Sequence, residues 1–202
     1  MRYDAERDLR ILEAMADQME PYLIEDELFW PISGPVRGGM PRMTLGGYLL
    51  RQHRLTALRG GLTAHQQERL QEALAAFTAA RAEWGMHYNN KLTREWGMRV
   101  HLLHEFLRDC NEADVRHCAD YWPVQAKQRT ILHHLREEAA ERDILSREQE
   151  AELARIDREL RRYLLPGEQG AFLWAEGLEP VYPRETYWWL WVAPPAEEEE
   201  AD

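Results

Sequence analysis

The residues of this sequence best suited to chemistry are its eight histidines, its two cysteines and its arginines, and their spacing limits what they can do. His101-Leu102-Leu103-His104-Glu105 brings two imidazoles and a carboxylate within two helical turns, the kind of grouping a metal needs. It is neither the His-Glu-x-x-His pattern of a helical zinc protease nor its inverse. Projected on a helix, Val100, Leu102, Leu103, Phe106, Leu107 and Cys110 share a face, and His101 and His104 fall off it. Projection through Val124, Ile131, Leu132, Leu135 and Ala139 sets His133 opposite the apolar face and His134 on its edge. These four imidazoles are expected to face solvent or helix flanks and not to converge. The Glu-x-x-His pairs of a di-iron bundle are also missing.

Cys110, His117 and Cys118, with Asp114 between them, fall around an expected helix-to-helix turn. Cys-x6-His-Cys matches no established zinc ligand set. It is kept as the one weak metal alternative, and the main expectation is no metal and no other cofactor. With only two cysteines a disulfide framework is not expected, and two buried free thiols fit a reducing, cytoplasmic setting.

Nucleophilic and nucleotide chemistry find little support. Ser33 and Ser146 are the only serines, and neither lies in Gly-x-Ser-x-Gly. No phosphate-binding glycine loop follows a strand. Gly38-Gly39 and Gly46-Gly47 read as turn and close-packing glycines, and His87, Tyr88, Asn89 and Asn90 as hydrogen-bonded groups inside a bundle. The balance leans towards a non-enzyme and leaves the question open.

Charge supplies the sharper pattern. Twenty-five basic residues stand against 36 acidic ones for a net charge of −11, which argues against non-specific nucleic-acid binding. Yet no acid occurs between Glu27 and Glu68, where Arg37, Arg42, Arg51, Arg54 and Arg59 form a basic island, whereas both ends of the chain are acidic. The island is either a docking surface for an acidic partner or nucleic acid, or a surface covered by the protein's own acidic ends. The second reading is favoured.

Within this island, Met43-Thr44-Leu45-Gly46-Gly47-Tyr48-Leu49-Leu50-Arg51, followed by Gly61-Leu62-Thr63, resembles the opening helix and turn of Xre-type helix-turn-helix repressors over about twenty residues. That resemblance implies a recognition helix after a second turn, within about fifteen residues. The chain instead continues as one Ala-rich helical period through Phe77 and Trp84. Arg51, Arg54 and Arg59 point in three directions around their helix, so no DNA-contacting residue is carried over.

The elements that must position these groups are helices. Four of the ten prolines lie between Pro21 and Pro41 and five between Pro166 and Pro195, which leaves the middle free to be helical. Thr63-Ala64-His65-Gln66 and Ser146-Arg147-Glu148-Gln149 fit the capping box. Apolar residues recur at helical spacing after each: Leu70, Ala73, Leu74, Phe77, Ala80 and Trp84 after the first, and Leu153, Ile156, Leu160 and Tyr163 or Leu164 after the second. Further helices are expected over residues 4–20, over 44–59 entered through Thr44, and from Asp120–Pro123 to Arg142. A helix unbroken from 64 to 110 would outrun its neighbours, so a bend or break is expected between Gly85 and Asn90. Glu83-Trp84-Gly85-Met86 recurs as Glu95-Trp96-Gly97-Met98, but a twelve-residue step puts the copies on different faces.

The flanks, 21–43 and 166–195, are rich in proline and aromatics and read as straps over the bundle, with Glu27–Ile32 and Thr186–Val192 as a candidate β-ribbon. The expected architecture is thus all-α, a single domain over 1–193 of about six helices with two aromatic straps, followed by a disordered acidic tail at 194–202. No run of about 18 apolar residues suits a membrane span, and the N-terminus has no signal-peptide core. The function expected is a protein–protein interaction or scaffold module that binds a protein partner or a second copy of itself. Tyr187, Trp188, Trp189 and Trp191 are its partner surface, since consecutive tryptophans cannot all face one core. The alternatives are a metal- or small-ligand-binding bundle, with or without enzymatic activity, using the cysteine turn or a pocket near His87, and a nucleic-acid regulator acting through 37–59.

Overall fold

The computed structural model describes residues 2–34, 36, 39–112, 115–166 and 172–193. Among them lie seven α-helices: α1 (Ala5–Asp17), α2 (Met19–Ile24), α3 (Leu45–Ala57), α4 (Ala64–Glu83), α5 (Gly85–Glu112), α6 (Val115–Glu141) and α7 (Arg147–Tyr163). The expected all-α bundle is observed. Both capping boxes form: Thr63 and Gln66 satisfy each other's orphan backbone donors at the start of α4, and Ser146 and Gln149 do so at the start of α7. Thr44 caps α3 by accepting from the Gly47 amide, and Asp4 caps α1 through the Arg7 amide. α4 ends at Glu83 and α5 begins at Gly85, so the break falls at Trp84, one residue before the expected window.

α6 is the central helix, packed against both α3 and α5, with α1 and α4 paired beside them and α7 against α5. Every residue from Arg129 to Leu135 in α6 is buried. α3 approaches it through Gly46. A Cβ there would come within 2.2 Å of Ile131 Cγ2, so only glycine permits this spacing. The Gly46 amide donates to Glu95 Oε2 at 2.9 Å, and the fully buried Glu95 is paired with Arg99 at 2.7 Å. Arg99 also donates to Gln128 and to Thr44. One charged network thereby pins α3, α5 and α6 together.

Three expectations are corrected. α6 begins at Val115 and contains Pro123, instead of starting at it. The straps do not pair with each other as drawn: Trp30 bridges Met43 within the first strap, while Val192–Ala193 (β2) pairs antiparallel with Leu165–Pro166 (β1). Cys110 and Cys118 are joined in a disulfide between the end of α5 and the start of α6, so they are not free thiols. The tail at 194–202 lies outside the described residues. Among the described residues, no helix is long and apolar enough to cross a membrane.

Candidate functional site

The second strap, residues 172–193, folds back over α3 and α6. Its backbone turns through two short 3-10 segments, Glu179–Val181 and Trp188–Leu190. The turns drive Tyr182, Tyr187 and Trp189 inward. Trp189 is 1% exposed, lies 3.9 Å beneath the Arg129 guanidinium and donates from Nε1 to Thr130 Oγ1 at 2.9 Å. Tyr187 is 3% exposed and packs edge-on against His133. Both are core residues, which corrects their assignment to a partner surface: a 3-10 turn, unlike a strand or an α-helix, sends neighbouring rings into different crevices of one core. Trp188 and Trp191 are half-buried, the first under Arg161 and the second donating to the Tyr182 carbonyl.

The basic island is likewise dispersed. Arg51 and Arg54 turn inward to share one carboxylate, Asp8 of the acidic N-terminal helix, at 3.4 and 3.3 Å. That is the internal covering expected from the charge pattern. Arg42 is exposed and donates to the Phe29 carbonyl, Arg59 is exposed, and Arg37 lies outside the described residues. The Cys110–Cys118 disulfide removes the thiolates that a zinc site would use, and the His117 side chain lies outside the described residues. Among the described residues no three histidine, cysteine or carboxylate side chains are arranged to hold a metal.

What the fold does bring together is a histidine cluster on which the sequence was silent. His53 of α3 and His134 of α6 face each other with ring centroids 4.6 Å apart, and His133 and Tyr187 close the group. His133 and His134 are 9% and 5% exposed, so the projection that turned His133 to solvent is corrected. A projection assumes one buried face, and α6 is covered on nearly all sides by α3, α5, α7 and the strap.

Beside these rings runs a groove of about 350 Å³, with Leu49, Gln52, His53, Thr56 and Ala57 from α3 on one wall and His134, Glu137, Glu138 and Glu141 from α6 on the other. Its hydrogen-bond polarity follows from the partners of each group. Burial pushes His134 down to about 4, so the ring is neutral at physiological pH. Its Nδ1 lies 3.3 Å from Glu137 Oε2. The adjacent His133 and His134 rings hold the Glu137 carboxyl far below the usual range, hence ionised. A carboxylate only accepts, so the single ring proton of His134 sits on Nδ1 and Nε2 carries a lone pair. That Nε2 is buried and has no partner; neither has Gln52 Oε1, also an acceptor, across the groove. His53 faces the Val181 carbonyl through Nε2 at 3.2 Å, so its proton is on Nε2 and its Nδ1 is a further lone pair. Burial lowers the His53 pKa too. Glu137 and Glu141 stand exposed at the rim, while Glu138 is buried and accepts from Arg81 and Arg142.

The groove is thus lined by acceptors and carboxylates. Comparison with protein-family models, with curated proteins and with solved structures finds no match to this chain.

Proposed function

We propose that this chain is a ligand-binding helical bundle whose α3–α6 groove takes a small organic cation, an amine or guanidine carrying several N–H donors. The observation that carries this reading is the pair of buried, unpartnered acceptors, Gln52 Oε1 and His134 Nε2, on opposite walls of one groove. Leaving a buried polar atom unpaired costs about 1–3 kcal/mol, and a donor-bearing ligand relieves both at once. The rim carboxylates Glu137 and Glu141 supply attraction, and the −11 charge of the whole chain adds long-range pull on a cation. Leu49 and Ala57 offer methylene contact for an alkyl stem. With Tyr187 and Trp189 buried, the C-terminal aromatics lend an interaction module no comparable surface.

Calorimetric titration of the full chain with agmatine and putrescine, and with glutarate as the anionic counterpart, tests the proposal. Binding of a cation and not of glutarate is expected, and Gln52→Leu, which keeps the volume and removes the acceptor, weakens it by about tenfold. Absence of heat with every cation at millimolar concentration, or an affinity indifferent to Gln52→Leu, overturns it.

A further inference from the structure

A second cleft opens on the other side of α3, with charge of the opposite sign. Its volume is about 480 Å³, and it lies where the start of the chain, α1, α3, α6 and the second strap meet. Four cations line it, Arg2, Arg7, Arg54 and Lys127, against two carboxylates, Asp4 and Asp8. Both carboxylates are already engaged. Asp4 accepts from the Arg7 backbone amide as the cap of α1, and Asp8 accepts from Tyr3 Oη at 3.0 Å while serving both Arg51 and Arg54. Arg51, buried behind the cleft, approaches Asp8 through Nε without a hydrogen bond and spends Nη1 on the Gly47 carbonyl. One carboxylate thus answers two guanidiniums.

Arg2, Arg7 and Lys127 form no ion pair with any described residue. The chain has acids to spare, 36 against 25 bases, so a lack of partners is not imposed by composition. Lys127 feels both the desolvation and the positive charge of this corner. Lys127 is exposed at the cleft mouth, where desolvation by the surrounding protein and then the charges of Arg51, Arg54 and Arg99 disfavour its protonated form, with Asp8 opposing. Its pKa is pushed down to about 8. Anions relieve such a field.

The apolar part of the cleft is also specific. Trp174 stands with one face against the Arg54 guanidinium at 4.6 Å, and Leu173, Leu178 and Pro123 complete the wall. Guanidinium and ammonium donors around an aromatic wall suit a dianionic oxyacid bearing a small apolar group better than a bare ion.

We propose that this cleft is an anion-binding site for a phosphomonoester, in which Lys127, Arg7 and Arg2 hold the phosphoryl oxygens and Trp174 and Leu178 hold the organic part. It is separate from the cation groove and stands or falls on its own.

Phenyl phosphate and inorganic phosphate serve as probes on the full chain. Calorimetry is expected to show phenyl phosphate binding more tightly than phosphate. Lys127→Met and Arg7→Gln each weaken it by about tenfold, while Arg59→Ala, which removes an exposed and unpaired charge elsewhere, leaves it unchanged. A second readout uses the fact that Lys127 and the buried Lys91 are the only lysines. Acetylation at pH 8, followed by peptide mapping in the mass spectrometer to separate Lys127 from the α-amine, modifies Lys127 in preference to Lys91, and phenyl phosphate slows the Lys127 reaction saturably. The proposal is overturned by binding that Lys127→Met leaves intact, by an equal loss in Arg59→Ala, which marks a diffuse charge effect, or by acetylation of Lys127 that phenyl phosphate does not slow.

Discussion

Arg54 donates from Nε to the Tyr182 hydroxyl at 3.0 Å, across 128 residues of sequence. The same Tyr182 ring lies 5.4 Å from His53, the neighbour of Arg54 on α3. One tyrosine of the strap therefore touches a residue of the anion cleft and a residue of the cation groove. The adjacent guanidinium favours its ionised form, but burial outweighs that and pushes its pKa up to about 12, so it remains a neutral hydroxyl at any ordinary pH.

Tyr182→Phe keeps the ring and removes only that acceptor. A loss of about 1–2 kcal/mol is expected, at the upper end for a bond to a charged donor, and urea denaturation measures it. A loss near zero means that water replaces the hydroxyl without cost.

Acid should destabilise the protein through His134. Its folded pKa of about 4 lies below the ordinary 6.5. Between these values the unfolded chain binds a proton that the folded chain refuses, so stability is full above about pH 6.5 and declines as pH falls towards 4. The decline amounts to about 3 kcal/mol at most. His53 shifts in the same direction, and Glu137, held ionised in the fold, adds to the loss at still lower pH. Urea midpoints at pH 7.5, 6.0, 5.0 and 4.5 read this slope, and His134→Gln should flatten it, as the sign of the shift requires.

Trp189→Ala and Trp188→Ala should differ sharply. The first opens a cavity in the core and leaves Arg129 without its aromatic cover, at a cost of about 3–5 kcal/mol. The second removes a half-buried ring stacked under Arg161, at a cost of about 1 kcal/mol. Thermal melts of the two variants separate the cases; equal losses contradict the burial difference.

Gly46→Ala should destabilise despite the higher helix propensity of alanine. The propensity gain is about 1 kcal/mol, whereas the new methyl meets the buried, β-branched Ile131 side chain at 2.2 Å, and overpacking costs about 1–3 kcal/mol. Gly97→Ala, in open space within α5, provides the opposite outcome: a small gain. Chemical denaturation of the pair checks both signs.

Reducing the Cys110–Cys118 bond should lower stability by about 2–3 kcal/mol, the loop-closure effect for an eight-residue separation. Thiol titration of the native protein should find no free cysteine before reductant and two after it. Thiols that react without reductant contradict the bond.

The local part of this fold was legible from residue order, and the long-range part was not. Thr63 with Gln66 and Ser146 with Gln149 act within one turn, so their motifs specify their geometry. The apolar stripe of α7, Leu153, Ile156 and Leu160, faces a single partner side and projects correctly. His133 failed because α6 has no solvent side at that level. His53 went unnoticed because its surroundings are assembled from far away: Val181 and Tyr187 reach it from 128 and 134 residues downstream. The signal available was the histidine itself, set between Leu50 and Leu55 on the helix of the basic island. The disulfide had no signal either, since an eight-residue spacing says nothing about whether two helix ends meet.

The placement of the strap has a consequence for biosynthesis. Trp174 walls the anion cleft, Tyr182 packs against its Arg54, and Tyr187 and Trp189 seal the histidine cluster, yet all four follow α1 to α7 in the chain and are made after them. A nascent chain that has released α1 to α7 from the ribosome still exposes His53, His133 and His134. The strap is made only after α1 to α7, so a chain cut before residue 172 would lack the Trp174 wall of one site and the Tyr187–Trp189 cover beside the other, and would leave the same apolar crevice bare to chaperones and proteases.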